Sequence, residues 1–486
     1  MGVLSALEPK KVFKYFEEIC RIPHGSGNME QISDYLVKFA KDRNLTYIQD
    51  ELKNVIIIKE ATPGYEQEPA LILQGHMDMV AVKKPDLDLD MKTQGLLLAV
   101  DGDLVYAEGT SLGGDDGIAV AMGLAVLDSD TLSHPRLEVI FTVDEEVGME
   151  GAVGIDLSML KGSRMLNLDS EGEGIFLTSC AGGARVYTYM PYTVEEKEGI
   201  LYHVSVEGLQ GGHSGAEIHK ERGNANCLMG RILYRLTQNL SLCLESVQGG
   251  LADNAIPRKT EAGMVIEEKD VPKFEEMIQT VEKEIRAELG SKDPGFAILV
   301  SLAGQGKYTC ADEESTAQLA SYLLALPNGV QAMSSDIPGL VETSLNLGIM
   351  ELMKEDQELI CQFAVRSSID SAKETVVGKV CAVTELAGGS YSVSGEYPGW
   401  PYRVDSPLRE KAIRVYESMY GRKPEVQAVH AGLECGVFAA KIPDLDCISL
   451  GPDVKDIHTT EETLSISSMG RVWEYLVALL AEKDCV

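Results

Sequence analysis

The sequence predicts an α/β fold whose first domain is interrupted by a second, α+β domain. Strand-like and helix-like segments alternate through the first third of the chain, and a different, antiparallel-type alternation begins near Ala184. Helix and buried-strand patterns return after Trp400. Strands that alternate with helices are typical of a largely buried central sheet. We therefore predict the first domain at 1–185 and 397–486, with the inserted domain at 186–396.

Hydrophobic periodicity predicts each element of the first domain. Apolar residues at helical spacing predict two helices between Pro9 and about Lys41. β-branched and apolar runs predict strands, and the small apolar segment 117–127 predicts a helix among them. The predicted strands are 54–59, 70–74, 137–143 and 165–169, and the later elements are a helix at 406–420, a strand at 446–451 and a helix at 467–483.

The inserted domain has half-exposed strands. Apolar and polar residues alternate at 184–192, 201–208 and 295–304, as antiparallel strands with one solvated face require. A helix with charges on one face is predicted at 271–289. No internal repeat is visible in the sequence.

Composition limits the classes of partner. Hydrophobic residues at 44% and charged residues at 24% are typical of a soluble globular protein. The 43 Lys and Arg residues against 76 Asp and Glu residues give a net charge of -33, which repels phosphate backbones and anionic lipid. We expect neither nucleic acid nor a membrane as a partner.

The ten cysteines and the N-terminus indicate a cytoplasmic protein. The cysteines are scattered without CxxC spacing, which favours reduced thiols over disulfide bonds or a cysteine zinc site. The N-terminal segment has no apolar core of a signal peptide, and no stretch approaches the roughly 20 apolar residues of a membrane helix.

Five short stretches place metal-ligand residue types at predicted strand ends or in nearby loops. Imidazole and carboxylate groups are ligands for zinc, and two histidines with three carboxylates suffice for a two-metal centre. Each stretch alone has an ordinary explanation as a turn, a helix cap or an acidic loop. The stretches are QGHMDMV with His76 and Asp78, GTSLGGDDGIA with Asp115 and Asp116, TVDEEVGMEGA with Asp144, Glu145 and Glu146, LNLDSEGEG with Asp169 and Glu171, and VKDIHTTEE with His458.

The ordered set HMD, GGDDG, DEEVG, LD and IHTTEE resembles the zinc peptidase family that includes carnosinases, aminoacylases and peptidase T. The resemblance implies a catalytic domain with a mixed central sheet flanked by helices, and an inserted α+β lid and dimerisation domain. It also implies two Zn²⁺ ions, for which cobalt or manganese can substitute. Asp115 would bridge the ions, His76 and Asp169 would bind one, and Glu146 and His458 would bind the other.

The same resemblance implies roles for residues beside the metals. Glu145 would be the general base for metal-activated water, and Asp78 would orient the imidazole of His76. His213, in LQGGHSG, would enter the active site, often from the partner subunit, and stabilise the oxyanion. The substrate-binding candidates, each with an ordinary alternative as a turn or surface residue, are Asn254, Arg366 and Gly432.

The implied function is hydrolysis of unblocked dipeptides, Xaa-His dipeptides included, by a homodimer that meets through the inserted domain. Family members with Asp at the position of Asp169 act like aminopeptidases or dipeptidases, which favours a substrate with a free amine. Alternatives are a tripeptide aminopeptidase or an N-acyl amino acid deacylase on the same scaffold. A non-catalytic binding protein is disfavoured by the complete ligand set and by Glu145.

Overall fold

The computed structural model describes residues 2–484, and the chain divides into two compact units. Unit 1 comprises Met1–Ser179, Tyr402–Ala428 and Leu433–Val486, and unit 2 comprises Cys180–Pro401 and Val429–Gly432. The sequence places the two boundaries at 185/186 and 396/397, a few residues inside unit 2. Cys485, counted above among the reduced thiols, lies outside the described residues.

Six of the eleven described helices were predicted from the sequence, and those at 150–154, 225–237, 313–325, 370–386 and 434–441 were not. The eleven helices are α1 (Lys10–Cys20), α2 (Glu30–Asp42), α3 (Gly114–Leu127), α4 (Glu150–Gly154), α5 (Ala225–Thr237), α6 (Val271–Leu289), α7 (Glu313–Ala325), α8 (Asp370–Leu386), α9 (Pro407–Tyr420), α10 (Glu434–Lys441) and α11 (Ile466–Ala481).

The strands of unit 1 are β1 (Thr46–Gln49), β2 (Val55–Lys59), β3 (Leu71–His76), β4 (Leu98–Asp101), β5 (Leu104–Ala107), β6 (Leu137–Thr142), β7 (Arg164–Asn167) and β8 (Ile175–Cys180, which ends in unit 2), and later β20 (Glu425–Val429, which also ends in unit 2), β21 (Asp446–Ser449), β22 (Val454–Lys455) and β23 (Thr463–Ser465). Those of unit 2 are β9 (Gly182–Pro191), β10 (Val194–Glu207), β11 (Gly212–His213), β12 (Leu242–Gly249), β13 (Ala255–Ile256), β14 (Thr260–Ile266), β15 (Ala297–Ala311), β16 (Gly329–Met333), β17 (Val341–Met353), β18 (Glu358–Ser367) and β19 (Ser390–Tyr397).

Unit 1 is built on an eight-stranded mixed sheet in the order β1-β2-β6-β3-β7-β21-β8-β20. The four central strands run parallel, since β3 pairs in parallel with both β6 and β7, and β7 pairs in parallel with β21. The outer pairs β1–β2 and β2–β6 are antiparallel. Parallel strands end at one edge of a sheet, so the loops after β3, β6 and β7 meet there.

One face of this sheet forms the main core of unit 1. Alternate side chains of the central strands, such as Leu73, Phe141 and Leu166, join a buried apolar cluster with α1, α3 and α11. The opposite face carries polar side chains near the strand ends, because successive residues of a strand point to opposite faces. One face of the sheet therefore packs the core, and the other carries the polar side chains near the candidate site.

Unit 2 contains a repeated topology that the sequence does not reveal. Repeat A (194–311) has the order β-α-β-β-α-β, formed by β10, α5, β12, β14, α6 and β15, and its strands pair in the order β15-β10-β14-β12. Repeat B (182–191 and 313–397) has the same order, formed by β9, α7, β17, β18, α8 and β19, paired as β19-β9-β18-β17. Each repeat places its strands in the order 4-1-3-2.

The two repeats form one continuous sheet. Strand β12 of repeat A pairs antiparallel with β17 of repeat B through Gln248 opposite Glu351 and Gly249 opposite Met350. Helices of both repeats contribute to one apolar core on the sheet. Repeat A is thus inserted between β9 and α7 of repeat B.

Two further findings concern the cysteines and the length of the helices. The nine cysteines within residues 2–484 take part in no disulfide bond. In the same residues, no helix is long and apolar enough to cross a membrane.

Candidate metal centre

His76 ends the buried strand β3 and is itself almost fully buried. Its Nδ1 lies 3.0 Å from the main-chain oxygen of Asp78, which can only accept a hydrogen bond, so Nδ1 carries the proton. Nε2 is then free to act as a ligand. It faces Asp115 Oδ1 at 3.1 Å and Asp169 Oδ1 at 3.6 Å.

Asp115 presents one oxygen to each of two histidines. Its Oδ1 faces His76, and its Oδ2 lies 3.2 Å from Nε2 of His458. Nε2 of His458 also lies 2.9 Å from Oε1 of Glu146. A carboxylate whose two oxygens face the Nε2 atoms of two different histidines has the arrangement of a ligand that bridges two metal ions.

Asp78 makes more contacts than the sequence suggests. Its main-chain oxygen accepts the bond from His76, while its carboxylate Oδ1 lies 3.4 Å from the same ring nitrogen. Oδ1 also accepts the N–H of Glu145 at 3.1 Å, and Oδ2 accepts the hydroxyl of Ser26 at 2.8 Å. Burial opposes ionisation of Asp78, yet these hydrogen bonds lower its pKa. Asp78 therefore holds both the imidazole of His76 and the loop that contains Glu145.

Asp116 supports the strand rather than facing His458. Its Oδ2 accepts the main-chain N–H of His76 at 3.1 Å, and the peptide bond between Asp115 and Asp116 is cis. This contact explains the glycine in QGHMD: a Cβ on Gly75 would lie 2.6 Å from Oδ2 of Asp116 and 2.7 Å from Cβ of Ala119. Helix α3 can approach β3 only because residue 75 has no side chain.

Glu462 is a residue that the sequence reasoning missed. Its buried carboxylate accepts four successive main-chain N–H groups of the GGDD loop. Oε2 accepts those of Leu112 and Gly113 at 2.8 and 3.1 Å, and Oε1 accepts those of Gly114 and Asp115 at 2.8 and 3.3 Å. The only signal in the sequence was its place four residues after His458, because a pair of adjacent acidic residues such as Glu461 and Glu462 is typical of a solvated loop.

The predicted ligands lie close enough to share metal ions. Donor atoms about 2.0–2.1 Å from a tetrahedral Zn²⁺ lie roughly 3.3 Å apart. The distances between neighbouring donor atoms here run from 2.9 Å for His458 and Glu146 to 3.6 Å for His76 and Asp169. Three groups have donor atoms within 4.8 Å of one another: His76 with Asp116 and Asp169, His76 with Glu145 and Glu146, and Asp115 with Glu146 and His458.

The electrostatics of the cluster suit a cation. Burial raises the pKa of Asp169 to about 6 and also raises the pKa of Glu145. Hydrogen bonds to Asp115 and Glu146 raise the pKa of His458 to about 10. Crowded, buried carboxylates lose solvation and repel one another, and a bound cation relieves both costs. The donor types, their spacing and their charge therefore fit a metal ion.

The other predicted site residues lie together in unit 2. Main-chain N–H groups of Gly215 and Ala216 donate to Nδ1 of His213 at 3.2 and 3.0 Å. Nδ1 is thus an acceptor, and the proton of the neutral ring lies on Nε2. Partial burial and the charge of Arg366 lower the pKa of His213, which keeps the ring neutral.

The remaining candidates also belong to unit 2. Asn254 precedes Ala255, which pairs with His213, and its main-chain oxygen accepts the N–H of Ser214 at 2.8 Å. Arg366 Nε is buried without a hydrogen-bond partner among the described residues. Gly432 belongs to the short segment of unit 2 at 429–432. Separately, His213 and Asn254 are among the residues that line a cavity of about 1060 Å³ in unit 2.

An open α/β sheet that gathers histidine and carboxylate donors beyond its strand ends is the arrangement expected of a metal-dependent hydrolase. Residues 72–482 match the model of peptidase family M20/M25/M40, and the chain belongs to this family. The fold class predicted from the sequence is confirmed, and so is the assignment to metal-dependent peptidases.

Relatives of known structure or function cover nearly the whole chain. The cytosol non-specific dipeptidase of Escherichia coli is 36% identical over 99% of both chains. The crystal structure of aminoacylhistidine dipeptidase from Vibrio alginolyticus superimposes with a TM-score of 0.93, at 37% identity over 99% of both chains. An aminopeptidase PepT from Bacillus cereus shares the fold at a TM-score of 0.55 and 16% identity over 98% of both chains.

Proposed function

We propose that the protein is a two-zinc dipeptidase that hydrolyses unblocked dipeptides, Xaa-His dipeptides among them, in the cytoplasm. The relatives described above as dipeptidases, one of them cytosolic, support the substrate class and the location. The observation that carries the proposal is the position of Asp115, whose two oxygens face His76 and His458 at 3.1 and 3.2 Å.

The residues of unit 1 would hold the metals and move one proton. His76, Asp115 and Asp169 would hold one ion, and Asp115, Glu146 and His458 the other. Bound ions would supply Lewis acidity toward the peptide carbonyl and lower the pKa of water. Glu145, held by the bond from its N–H to Asp78, would take a proton from water and pass it to the leaving amine.

The residues of unit 2 would bind the peptide and its developing charge. His213 would donate its Nε2 proton to the oxyanion, a role supported by the two N–H groups that occupy Nδ1. Arg366 would bind the substrate carboxylate, for which its guanidinium is suited. Asn254 and the main-chain N–H of Gly432 would contact the substrate carbonyl.

Metal analysis combined with a substrate panel tests the proposal. The panel contains free dipeptides, including Xaa-His, their N-acetylated forms, and tripeptides. We expect about two equivalents of metal per chain, turnover of the free dipeptides, and loss of activity on chelation. Turnover of only the N-acetylated substrates or only the tripeptides would contradict the dipeptidase assignment.

Glu145→Gln tests the proton acceptor. Because a positioned general base contributes about 10²–10⁴-fold, we expect kcat to fall by that factor while both metal equivalents are retained. The matched control is Glu150→Gln in an exposed position at the start of α4, which should keep the wild-type kcat. Wild-type turnover by Glu145→Gln would remove Glu145 from the mechanism.

The protein is proposed to be a homodimer that meets through unit 2. Strand β15 supports this proposal, because residues 295–306 carry no charge in a chain of net charge -33 and include the exposed side chains Leu299, Val300 and Leu302. Light scattering on the purified protein measures the molar mass. A mass of 52.8 kDa at micromolar concentration would show a monomer and contradict the dimer.

A further inference from the structure

A row of buried polar side chains lies directly behind the metal ligands. Gln74 on β3 precedes His76 by two residues, and Asn167 on β7 precedes Asp169 by two residues. Residues two apart on a strand point to the same face. Gln74 and Asn167 are register partners, and Thr142 on β6 is the register partner of His76. The row therefore crosses the three strands that deliver the ligand loops.

One carboxylate from outside the sheet joins this row. Glu434 begins α10 and is fully buried. Its Oε2 accepts the hydroxyl of Thr142 at 2.6 Å and the side-chain N–H of Gln74 at 2.5 Å. Oε1 of Gln74 in turn accepts the side-chain N–H of Asn167 at 2.6 Å. A single chain of hydrogen bonds thus links α10, β6, β3 and β7.

The burial of Glu434 is costly for the fold. A carboxyl group removed from water, whether ionised or protonated, loses solvation that hydrogen bonds only partly replace. Its Oε1 has no hydrogen-bond partner among residues 2–484. Burial raises the pKa of Glu434 to about 8, although the nearby charge of His76 opposes this rise. An apolar residue at position 434 would avoid these costs, so the carboxyl group has another use.

We propose that Glu434 is a positioning residue of the metal centre. It fixes Thr142 and Gln74, and through Gln74 also Asn167, so that the ends of β6, β3 and β7 keep the spacing that the ligands require. The inference rests on the proposed metal-dependent function, because it concerns the same centre. The acceptor oxygen of Glu434, which two donors share, carries the effect.

Two substitutions separate the acceptor oxygen from the bulk of the side chain. Glu434→Leu removes the acceptor and leaves the hydroxyl of Thr142 without it, whereas Glu434→Gln keeps one oxygen for both donors. The readout is binding of Co²⁺ to metal-depleted protein, which is monitored through the visible absorption of the bound ion. We expect Glu434→Leu to weaken binding about 10–100-fold and to change the spectrum. Glu434→Gln should stay within about threefold of the wild type, because the acceptor remains.

A buried carboxylate elsewhere on the same sheet provides the matched control. Glu138 is fully buried on the same face of β6 as Thr142 and accepts the N–H groups of Lys161 and Gly162. Glu138→Leu should lower the melting temperature but leave Co²⁺ binding and its spectrum unchanged. Equal losses in Glu138→Leu and Glu434→Leu would reduce the effect to general destabilisation and overturn the proposal.

The outcomes distinguish this inference from the proposed function. Absence of Co²⁺ binding in the wild type would contradict the metal centre itself. Wild-type binding by Glu434→Leu, or equal weakening in Glu434→Gln, would contradict only the role of the acceptor oxygen. If Glu434→Leu does not fold, Thr142→Val removes one donor at constant shape. It should weaken Co²⁺ binding about three- to tenfold, and unchanged binding would overturn the proposal.

Discussion

The surroundings of a ring nitrogen decide what each histidine can do. Nδ1 of His76 faces a main-chain oxygen, which leaves Nε2 unprotonated, with a lone pair that can bind a metal ion. Nδ1 of His213 faces two main-chain N–H groups, which leaves Nε2 as a proton donor. The two residues thus have opposite polarity at Nε2. The family resemblance of their motifs singled out both residues, but only the atoms around Nδ1 distinguish a metal ligand from a proton donor.

His430 makes the stability of unit 2 depend on pH. It is buried, its Nε2 lies 2.7 Å from the hydroxyl of Ser344, and burial lowers its pKa to about 3. The unfolded ring binds a proton near pH 6.5, so the folded state excludes that proton. The stabilising contribution is therefore complete above pH 6.5 and is lost as pH falls toward 3. The loss is up to about 1.4 kcal/mol per pH unit.

Denaturant unfolding of the wild type and of His430→Gln between pH 7 and pH 4 measures this contribution. The free energy of unfolding should fall less steeply in the variant, because glutamine binds no proton. His219→Gln, in an exposed 3-10 turn, is the matched control and should retain the wild-type slope. Parallel curves for the wild type and His430→Gln would show that His430 is not the group responsible.

At the scale of elements, hydrophobic periodicity predicted the positions of individual helices and strands. The helix predicted at 271–289 is α6 with the same bounds, and the strand predicted at 446–451 is β21 at Asp446–Ser449. The roles of single buried acids were not predictable, because Glu434 and Glu462 resemble solvated carboxylates until the chain folds around them. Their partners lie hundreds of residues away in sequence.

Glu462 ties the start of α3 to the loop that contains His458. Glu462→Gln replaces one acceptor oxygen by an amide that opposes two main-chain N–H groups of the GGDD loop. Hydrogen bonds to a charged group contribute about 1.5–3 kcal/mol each, so the loss of two should lower the free energy of unfolding by about 3–6 kcal/mol. Metal affinity should fall with it, because Asp115 belongs to the loop. Urea unfolding and metal titration measure the two effects.

The neighbouring residue provides the control for this prediction. Glu461 is exposed and pairs with Lys84 at 2.9 Å. Glu461→Gln should change neither the unfolding curve nor the metal affinity. If Glu462→Gln behaved like Glu461→Gln, the hydrogen bonds from the GGDD loop to Glu462 would not be needed for stability or metal binding.

At the scale of the whole molecule, the two units have separate apolar cores. We expect calorimetry to resolve two unfolding transitions, of which only that of unit 1 responds to metal. Metal at a hundred times its Kd stabilises the folded state by about 2.7 kcal/mol. Chelation should therefore lower that transition by roughly 5 to 10 °C.

A core substitution identifies the second transition. Val204 is fully buried in unit 2, and Val204→Ala should lower the transition that chelation leaves in place. A single transition that shifts as a whole on chelation would contradict the prediction.

The repeat in unit 2 was beyond sequence reasoning for a physical reason. Strand order depends on pairing between distant segments, and repeat A interrupts repeat B after its first strand. The periodicity of each strand is the same whichever neighbour it pairs with. The α+β character of the region could be predicted, but its duplicated arrangement could not.

The internal repeat has a consequence for how the proposed binding residues can vary. In a pair of identical chains every substitution occurs twice, so one sequence must serve both positions. In unit 2 the two copies are different stretches of one chain. His213 and Asn254 lie in repeat A, and Arg366 lies in repeat B. Each repeat is therefore free to specialise, and the proposed roles differ accordingly: repeat A would serve the reacting carbonyl and repeat B the peptide carboxylate.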